Sequence, residues 1–370
     1  MALELVQGDF DAFFATPFHA YGKETPYVSP MRSDLKKYLD AAQNPLMKAG
    51  SPLEFYVVKR DGKPVARATA HRHLQSNERY GWARTCFGFF DAADDAEAID
   101  LLFSAIEDFA KRHGDTEIMG PFNLTAMQMV GLVTEGFEHA PYTDMVWSPE
   151  WLPKHLERLG YGREFPMATW QFNPQTVPDE QPLTDKARVI LDSLDWSFAP
   201  ITRRDFKVRM EEGRLCLNGG FDTNPMFVPL TAEEFQFQAG EMMWVMDPNL
   251  SAILHYKGKP AGVVICIPDL NPFVKHAGAR YGLRMIWSWL RGLFAPKRAV
   301  IILYSVMPEH QGKGVNAALL HRVLGALKKG GYQSCGGTWI ADVNGASLAQ
   351  LKRLNAQVLH RTHLFRKALA

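Results

Sequence analysis

Residues 301–344 read IILYSVMPEHQGKGVNAALLHRVLGALKKGGYQSCGGTWIADVN. An apolar run, Ile301 to Met307, stops at Pro308; the loop Glu309-His310-Gln311-Gly312-Lys313-Gly314 follows, and from Val315 the apolar residues recur at helical spacing. The order is strand, glycine loop, helix. The first turn of a helix carries backbone N–H groups with no intrahelical partner and sits at the positive end of the helix dipole, and glycines let an anion come close to those amides. Lys313 adds a positive charge, so the loop reads as a phosphate cradle. It is not a Walker loop, which needs four residues between its first Gly and Gly-Lys-Ser/Thr, and no dinucleotide-type G-x-G-x-x-G is present.

The rest of the chain narrows the context. With 370 residues, 46% of them hydrophobic, and a net charge of +1, the composition is that of a folded protein long enough for two domains. A balanced charge nominates no nucleic-acid partner. Cys86, Cys216, Cys266 and Cys335 are scattered singly, without the spacing of a zinc site, and are expected to be buried thiols; no metal is expected. The first residues, MALELVQGDFDAFFATPF, carry acids where a secretory signal needs bases, and no uncharged run is long enough to span a bilayer. The expectation is a cytoplasmic protein, with peripheral attachment to the inner membrane open.

Taken in order, the chain shows one layout twice. Asp34 to Gln43 has the spacing of a short helix; Leu53 to Ala70 alternates around Arg60-Asp61-Gly62-Lys63 as a hairpin; Ala83 to Phe90 is a strand, Ala96 to His113 a helix, and Thr116 to Met119 a strand. Ala252 to Ile267 is again a hairpin, turning at Lys257-Gly258-Lys259-Pro260, followed by strand Ile301 to Met307, helix Val315 to Lys329 and strand Ser334 to Asn344. Both halves run hairpin, strand, helix, strand, which reads as a tandem duplication. The proline-rich stretch Pro174 to Pro182 is the expected linker, giving domains at 1–175 and 183–370.

The halves differ at the decisive loop. Where the second has Gln311-Gly312-Lys313-Gly314, the first has Asp91-Ala92-Ala93-Asp94-Asp95-Ala96-Glu97. Carboxylates suit helix capping but repel a pyrophosphate, so only the second half is expected to hold a phosphorylated ligand. Between hairpin and loop, residues 270–308 contain no acid but hold Lys275, Arg280, Arg284, Arg291, Lys297 and Arg298. Phe273, Tyr281, Met285, Ile286, Trp287, Trp289, Leu290, Leu293 and Phe294 are interleaved with them. Such a stretch at 270–298 suits a membrane interface or the roof of a pocket for a long acyl chain; equally, its apolar residues could face the core, with the arginines in water. His139-Ala140-Pro141-Tyr142-Thr143-Asp144 has the His-x4-Asp spacing of glycerolipid acyltransferases, but it lies in a Pro-containing turn without that family's later blocks and reads as coincidence.

The segment Gln311-Gly312-Lys313-Gly314-Val315-Asn316, preceded by Val306-Met307-Pro308 and followed by Ala317-Ala318-Leu319-Leu320, resembles the acyl-CoA signature of the GNAT N-acetyltransferase superfamily, Gln/Arg-x-x-Gly-x-Gly/Ala. Asn316 departs from its usual small residue. The likeness extends over Tyr27-Val28-Ser29-Pro30, Gly88-Phe89-Phe90-Asp91, Gly120-Pro121-Phe122-Asn123, Pro268-Asp269-Leu270-Asn271 and Trp339 to Phe365, which resemble a bacterial group of two-domain GNAT-like proteins that includes the bacterial ceramide synthases. The resemblance implies an α/β (α+β, mixed-sheet) class: tandem GNAT-like folds of mainly antiparallel sheets flanked by helices. It also implies that the backbone of Val306 meets the pantetheine arm of an acyl-CoA, that Gln311, Gly312, Lys313, Gly314, Val315 and Asn316 surround the pyrophosphate, and that Asn344 lies beside the arm.

Acyl transfer to an amine needs an acceptor for the amine's proton and a donor to the carbonyl oxygen. Asp342, Glu309 and His310 are the candidate bases and Tyr304 the candidate donor. The tyrosine that many family members place after the late Asn is replaced here by Leu348, Leu351 and Leu354, so an acid, if used, comes from elsewhere, with Ser347 the candidate. The implied activity is N-acyl transfer from acyl-CoA, acetyl or long-chain, to an amine, preferentially a long-chain sphingoid amine giving an amide lipid. The alternatives are acetylation of a small polar amine and binding of acyl-CoA or lipid without turnover.

Overall fold

Two turns set the layout of the sheets. Asp61 and Gly62 have φ of 49° and 78°, and Lys257 and Gly258 have 48° and 77°. This is the left-handed pair that a two-residue hairpin loop requires. The structure, a computed structural model, describes residues 2–239, 246–292 and 297–369. Leu293 and Phe294 of the basic aromatic stretch lie outside the described residues, as do the side chains of Trp289 and Arg291.

Among the described residues the strands are β1 (Leu3–Gln7), β2 (Leu53–Arg60), β3 (Lys63–His71), β4 (Arg84–Ala92), β5 (Glu117–Gly120), β6 (Leu132–Glu135), β7 (Gly162–Phe172), β8 (Trp196–Ala199), β9 (Ala252–Tyr256), β10 (Lys259–Pro268), β11 (Lys297–Val306), β12 (Tyr332–Ala341) and β13 (Gln357–Ala368). The chain divides into two compact units: Met1–Met167 with Asn271–Leu293 and His360–Ala370, and Ala168–Leu270 with Phe294–Leu359.

In the first unit the sheet order is β1-β2-β3-β4-β5-β13, with β6 also on β13. Neighbours are antiparallel except β4 and β5, which are parallel. Strand alternation splits its core in two. Tyr56 and Val58 join Ile99, Leu102, Phe103, Ile106 and Phe109 of helix Ala96–Arg112, whereas Val57 and Phe89 join Phe13 and Phe14 of helix Phe10–Ala20. Phe103 is packed against Phe87, Phe90 and Tyr161 edge-on, and truncating such a buried ring to alanine costs about 3–5 kcal/mol.

The second unit repeats the plan with β12-β11-β10-β9-β8, where β11 and β12 are the parallel pair. Val264 faces Val315, Leu319 and Val323 of helix Val315–Lys329, while its neighbour Val263 faces Cys216 of helix Phe206–Phe221. Each unit is thus a mixed sheet with a helix on either face. The duplicated hairpin, strand, helix and strand are all present, and each repeat also has a first helix covering its opposite face, which the sequence pattern did not disclose. All four cysteines are buried and free.

The units are not contiguous in sequence, unlike the halves expected at 1–175 and 183–370. The chain's last strand, β13, hydrogen-bonds to β5 in the first unit, with Phe365 opposite Gly120. Residues 271–293 also belong there: Val274 and Ala279 pack with Phe13, Phe14 and Leu35, Arg32 N–H donates to the Ala279 carbonyl at 2.9 Å, and Lys275 Nζ donates to the Thr25 carbonyl. The change of unit falls inside β7, at Met167 and Ala168. Pro174 to Pro182, expected as the linker, is packed into the second unit: Val177 is buried in its core, and the Gln175 side-chain amide donates to the Tyr332 carbonyl at 2.9 Å.

Candidate functional site

Strands β11 and β12 run side by side only from Lys297 and Tyr332 to Ile301 and Gly337. Beyond that pair they make no further ladder contacts, and Ile302, Leu303, Tyr304, Thr338, Trp339 and Ile340 are half-buried although they lie in the middle of a sheet. A Cβ on Gly337 would meet nothing within 4 Å. The two strands therefore part into a wedge, crossed near its start by Thr338 Oγ1 donating to the Ile302 carbonyl at 3.5 Å; a parted strand edge is the kind that can hydrogen-bond an extended ligand.

The glycine loop closes one side of this wedge. Pro308–His310 form a 3-10 turn, Gly312 and Gly314 have φ of 69° and 96°, and Gly314 is the N-cap of helix Val315–Lys329. That cap contributes no side-chain hydrogen bond, and the first turn contains no acid. The amides of Val315, Asn316 and Ala317 precede the first intrahelical bond, Ala318 N–H to the Gly314 carbonyl at 3.0 Å. The helix start thus has free first-turn amides and no acid, the features that suit an anion, with Lys313 exposed beside it. A second cation, which the sequence reading missed, is Lys186 from helix Asp185–Asp192, whose Nζ donates to the Gly312 carbonyl at 2.7 Å. The start of that helix also backs onto the loop, since a Cβ on Gly314 would lie 2.7 Å from Ala187 N.

Other side chains brace the loop from within. Gln311 Nε2 donates to the Val306 carbonyl at 3.1 Å, so the expected pyrophosphate neighbour is a strut and the expected pantetheine partner has its carbonyl engaged. Tyr304 donates its hydroxyl to the Asn316 carbonyl. Burial pushes that phenol's pKa up, so it stays protonated as a donor. Helix Phe206–Phe221 lies flush on the other face: Ser305 Oγ donates to the Cys216 carbonyl at 2.7 Å, and a Cβ on Gly220 would stand 2.8 Å from the Val306 carbonyl oxygen. The pair Gly219-Gly220 was the sequence signal for this approach.

The remaining candidates do not converge on the wedge. Asn344 caps helix Gly345–Arg353, its carboxamide oxygen accepting from the Ser347 amide at 3.2 Å, and Ser347 is half-buried. Asp342 and Glu309 are exposed. His310 stands against Trp196 and Tyr256, ring centres 5.3 and 5.4 Å away, and its Nδ1 is buried without a hydrogen-bond partner among the described residues. Burial and the Lys313 charge lower its pKa, leaving a neutral imidazole at pH 7. Trp196 and Tyr256 come from β8 and β9, so only the fold reveals this contact.

In the first unit the equivalent helix start is already filled. Asp95 caps helix Ala96–Arg112 by accepting from the Ala98 amide at 3.1 Å, and the Arg60 guanidinium donates to it at 2.6 and 2.7 Å. That pairing holds the Asp95 carboxyl below its usual range. Glu97 shares Arg60 at 2.9 Å and Asp94 meets His155 at 2.7 Å. Asp91 is not at the helix start at all: it sits in β4, buried, paired with the fully buried Arg67 at 2.6 Å and accepting from Tyr21 and Tyr27 at 2.8 and 3.3 Å. An anion at this helix start would displace or oppose a fixed carboxylate.

Elsewhere in the first unit, Asp144 is reachable by solvent but surrounded so widely by protein that desolvation pushes its carboxyl up to about 7. It stands at a left-handed φ of 64°. His139, five residues earlier, is paired instead with Glu138 at 3.3 Å. His71 donates from Nε2 to the Leu124 carbonyl at 2.8 Å, and among the described residues no group of acids, histidines and cysteines could hold a metal ion.

Residues 222–354 match the acetyltransferase (GNAT) family. Over its whole length the chain is similar to Protein YghO of Escherichia coli, 26% identical over 380 residues that cover 99% of this chain and 94% of that protein. It is also similar to a bacterial ceramide synthase of Caulobacter vibrioides, 26% identical over 265 residues that cover 70% of this chain and 67% of the relative. Among solved structures, a tandem GNAT protein from the clavulanic acid biosynthesis pathway superposes with a TM-score of 0.57 at 12% identity, covering 99% of this chain and 98% of that one. A GCN5-related N-acetyltransferase from Sphaerobacter thermophilus does so with 0.52 at 13% identity, covering 99% and 95%.

Proposed function

Starting from a GNAT domain in the second unit of a tandem GNAT fold, we propose that the chain is an acyl-CoA-dependent N-acyltransferase whose amine substrate is a long-chain base, the product being an amide lipid. The observation that carries the acyl-CoA reading is the cradle at Gly314: an uncapped helix start without acids, between Lys313 and Lys186, opening beside a wedge of two parted strands. The pyrophosphate takes the amides of Val315, Asn316 and Ala317, and the pantetheine arm lies between the parted edges of β11 and β12. The long-chain amine is supported by the similarity to a bacterial ceramide synthase.

In the reaction the amine nitrogen attacks the thioester carbonyl, a C–N bond forms, the C–S bond breaks, and the amine's proton passes to a base while the CoA thiolate leaves. Tyr304, protonated and directed at the helix start, fixes the cradle through Asn316. Glu309, exposed in the loop, is the loop's candidate proton acceptor, since His310 packs its ring against Trp196 and Tyr256 of β8 and β9, away from the wedge. Asp342, exposed just past the end of β12, is the other candidate for that base, and Ser347, half-buried in the helix after it, is the candidate donor of a proton to the leaving sulfur.

The test is to incubate the purified chain with acetyl-CoA or palmitoyl-CoA, with and without a sphingoid base, and to follow free thiol and amide product. Thiol release with palmitoyl-CoA that depends on the long-chain base is the expected result. Release only with acetyl-CoA and small amines would replace the lipid substrate, and tight CoA binding without thiol release from any amine would make the chain a binding module.

A further inference from the structure

Helix Leu283–Gly292 carries its apolar stripe on the outside. Leu283, Ile286, Trp287 and Leu290 follow the i, i+3, i+4, i+7 spacing of one helix face, and they are 77%, 58%, 63% and 42% exposed. Tyr281, just before the helix, is 65% exposed. The side turned inward carries the half-buried Met285, the polar Ser288, 7% exposed, and Gly292, where a Cβ would stand 2.2 Å from the Phe273 ring. The core-facing arrangement considered from sequence is therefore reversed. The inversion is held from below: the preceding helix, Asn271–His276, and the turn after it are fastened to the first unit through Val274, Ala279 and Lys275, while Arg280 lies 5.0 Å over the Phe14 ring.

The segment that carries this stripe has charges of one sign, and Asp11, an acid on a neighbouring element that its contacts reach, is paired with Arg32 at 2.5 Å. Lys275, Arg280 and Arg284 are exposed, and no acid occurs anywhere in residues 270–308. At about 100° per residue, Arg284 falls on the border of the stripe next to Leu283 and Trp287. An apolar face with Trp and Tyr, bordered by bases, matches a bilayer interface with anionic headgroups, where the rings sit at headgroup depth and the bases meet phosphate. A ten-residue helix is far short of the roughly 20 residues that span a bilayer, and no described helix is long and apolar enough to cross one. It can only lie along the surface.

We propose that the exposed face of Leu283–Gly292 docks the protein onto the interface of an anionic membrane. This stands independently of the acyl-transfer reading. A protein partner with an apolar groove would not by itself require a basic segment free of acids, and a second copy would bring like charges together.

The experiment is flotation of the full-length chain with vesicles of phosphatidylcholine alone or mixed with phosphatidylglycerol. Binding to the mixed vesicles, weakened by salt and absent on the neutral ones, is expected. The double change Ile286→Ser with Trp287→Ser should reduce vesicle affinity at least about tenfold, and Arg284→Glu should reduce it on anionic vesicles. Leu194→Ser, at a residue 104% exposed outside this helix, should leave binding unchanged, and thermal melts confirm that each variant folds. No flotation of the parent chain, equal loss with Leu194→Ser, or retained binding in the double variant would overturn the proposal. So would a concentration-dependent dimer that the double change dissolves while vesicle binding is nil; that result would assign the face to self-association.

Discussion

Gly314→Ala tests the phosphate cradle where its geometry is tightest. The residue has φ of 96°, roughly 40° past the centre of the left-handed region that a side chain tolerates best. Holding alanine there costs about 1–3 kcal/mol. Its Cβ would also stand 2.7 Å from Ala187 N and from the Lys186 carbonyl carbon, both backbone atoms that cannot rotate away, and such overpacking adds about 1–3 kcal/mol. The sum, about 2–6 kcal/mol, is met either by loss of stability or by a shift of the helix start away from Lys186. The second route moves the amides of Val315 and Asn316 and weakens CoA binding, with about 2 kcal/mol equal to roughly thirtyfold. Gly312→Ala is the matched control: its φ of 69° is close to the left-handed minimum and its Cβ would meet nothing within 4 Å, so only about 1–2 kcal/mol is expected. Calorimetric titration with CoA and denaturant unfolding of both variants supply the two halves of the sum. If Gly314→Ala matches Gly312→Ala in both measurements, the cradle is not where the geometry puts it.

Three further outcomes follow from single interactions. Asp144→Asn should stabilise the protein slightly, solvent at this exposed side chain screening most of the effect, with a definite sign: because desolvation pushes the native carboxyl up to about 7, the parent chain loses stability as pH rises from the ordinary carboxylate range to about 7, and the neutral amide does not. Urea midpoints should therefore coincide near pH 4 and separate in favour of the variant near pH 8; equal separation at both would contradict a desolvated carboxyl. Asp95→Ala removes the cap on Ala98 and half of Arg60's pairing, which should cost about 0.5–2 kcal/mol by denaturation while CoA titration stays unchanged; a loss of CoA affinity would mean the wrong helix start was assigned. Arg67→Met leaves Asp91 buried without its cation and should destabilise by about 3–5 kcal/mol, whereas Arg67→Met together with Asp91→Leu should recover most of that in an equilibrium unfolding cycle.

How much was legible in the sequence depends on the range of the interaction involved. The helix at Val315–Lys329 and both hairpin turns are written in contiguous residues, since a 3.6-residue apolar period, a glycine pair and an Asp-Gly or Lys-Gly turn act within a few positions. The contrast between the two loops was readable for the same reason, because capping and dipole effects reach only the first turn. Asp91 was misplaced among the capping acids because charge alone does not say that a strand continues to Ala92 and that Arg67 waits beside it.

What only the tertiary structure decided are the contacts between distant segments. Lys186 at the Gly312 carbonyl, Trp196 and Tyr256 around His310, and the return of β13 to β5 join residues far apart in the chain, and no local pattern encodes them. The direction of the stripe on Leu283–Gly292 belongs to the same class. Periodicity establishes that the helix has an apolar face, but which way that face turns is set by where Val274 and Ala279 anchor the segment and by the room that Gly292 leaves for Phe273. The sequence by itself determined that a helix starts after a glycine loop without acids in its first turn and that a basic aromatic stretch precedes it; the fold determined what surrounds the first and that the apolar face of helix Leu283–Gly292 turns outward, because burial is a property of the whole packed chain.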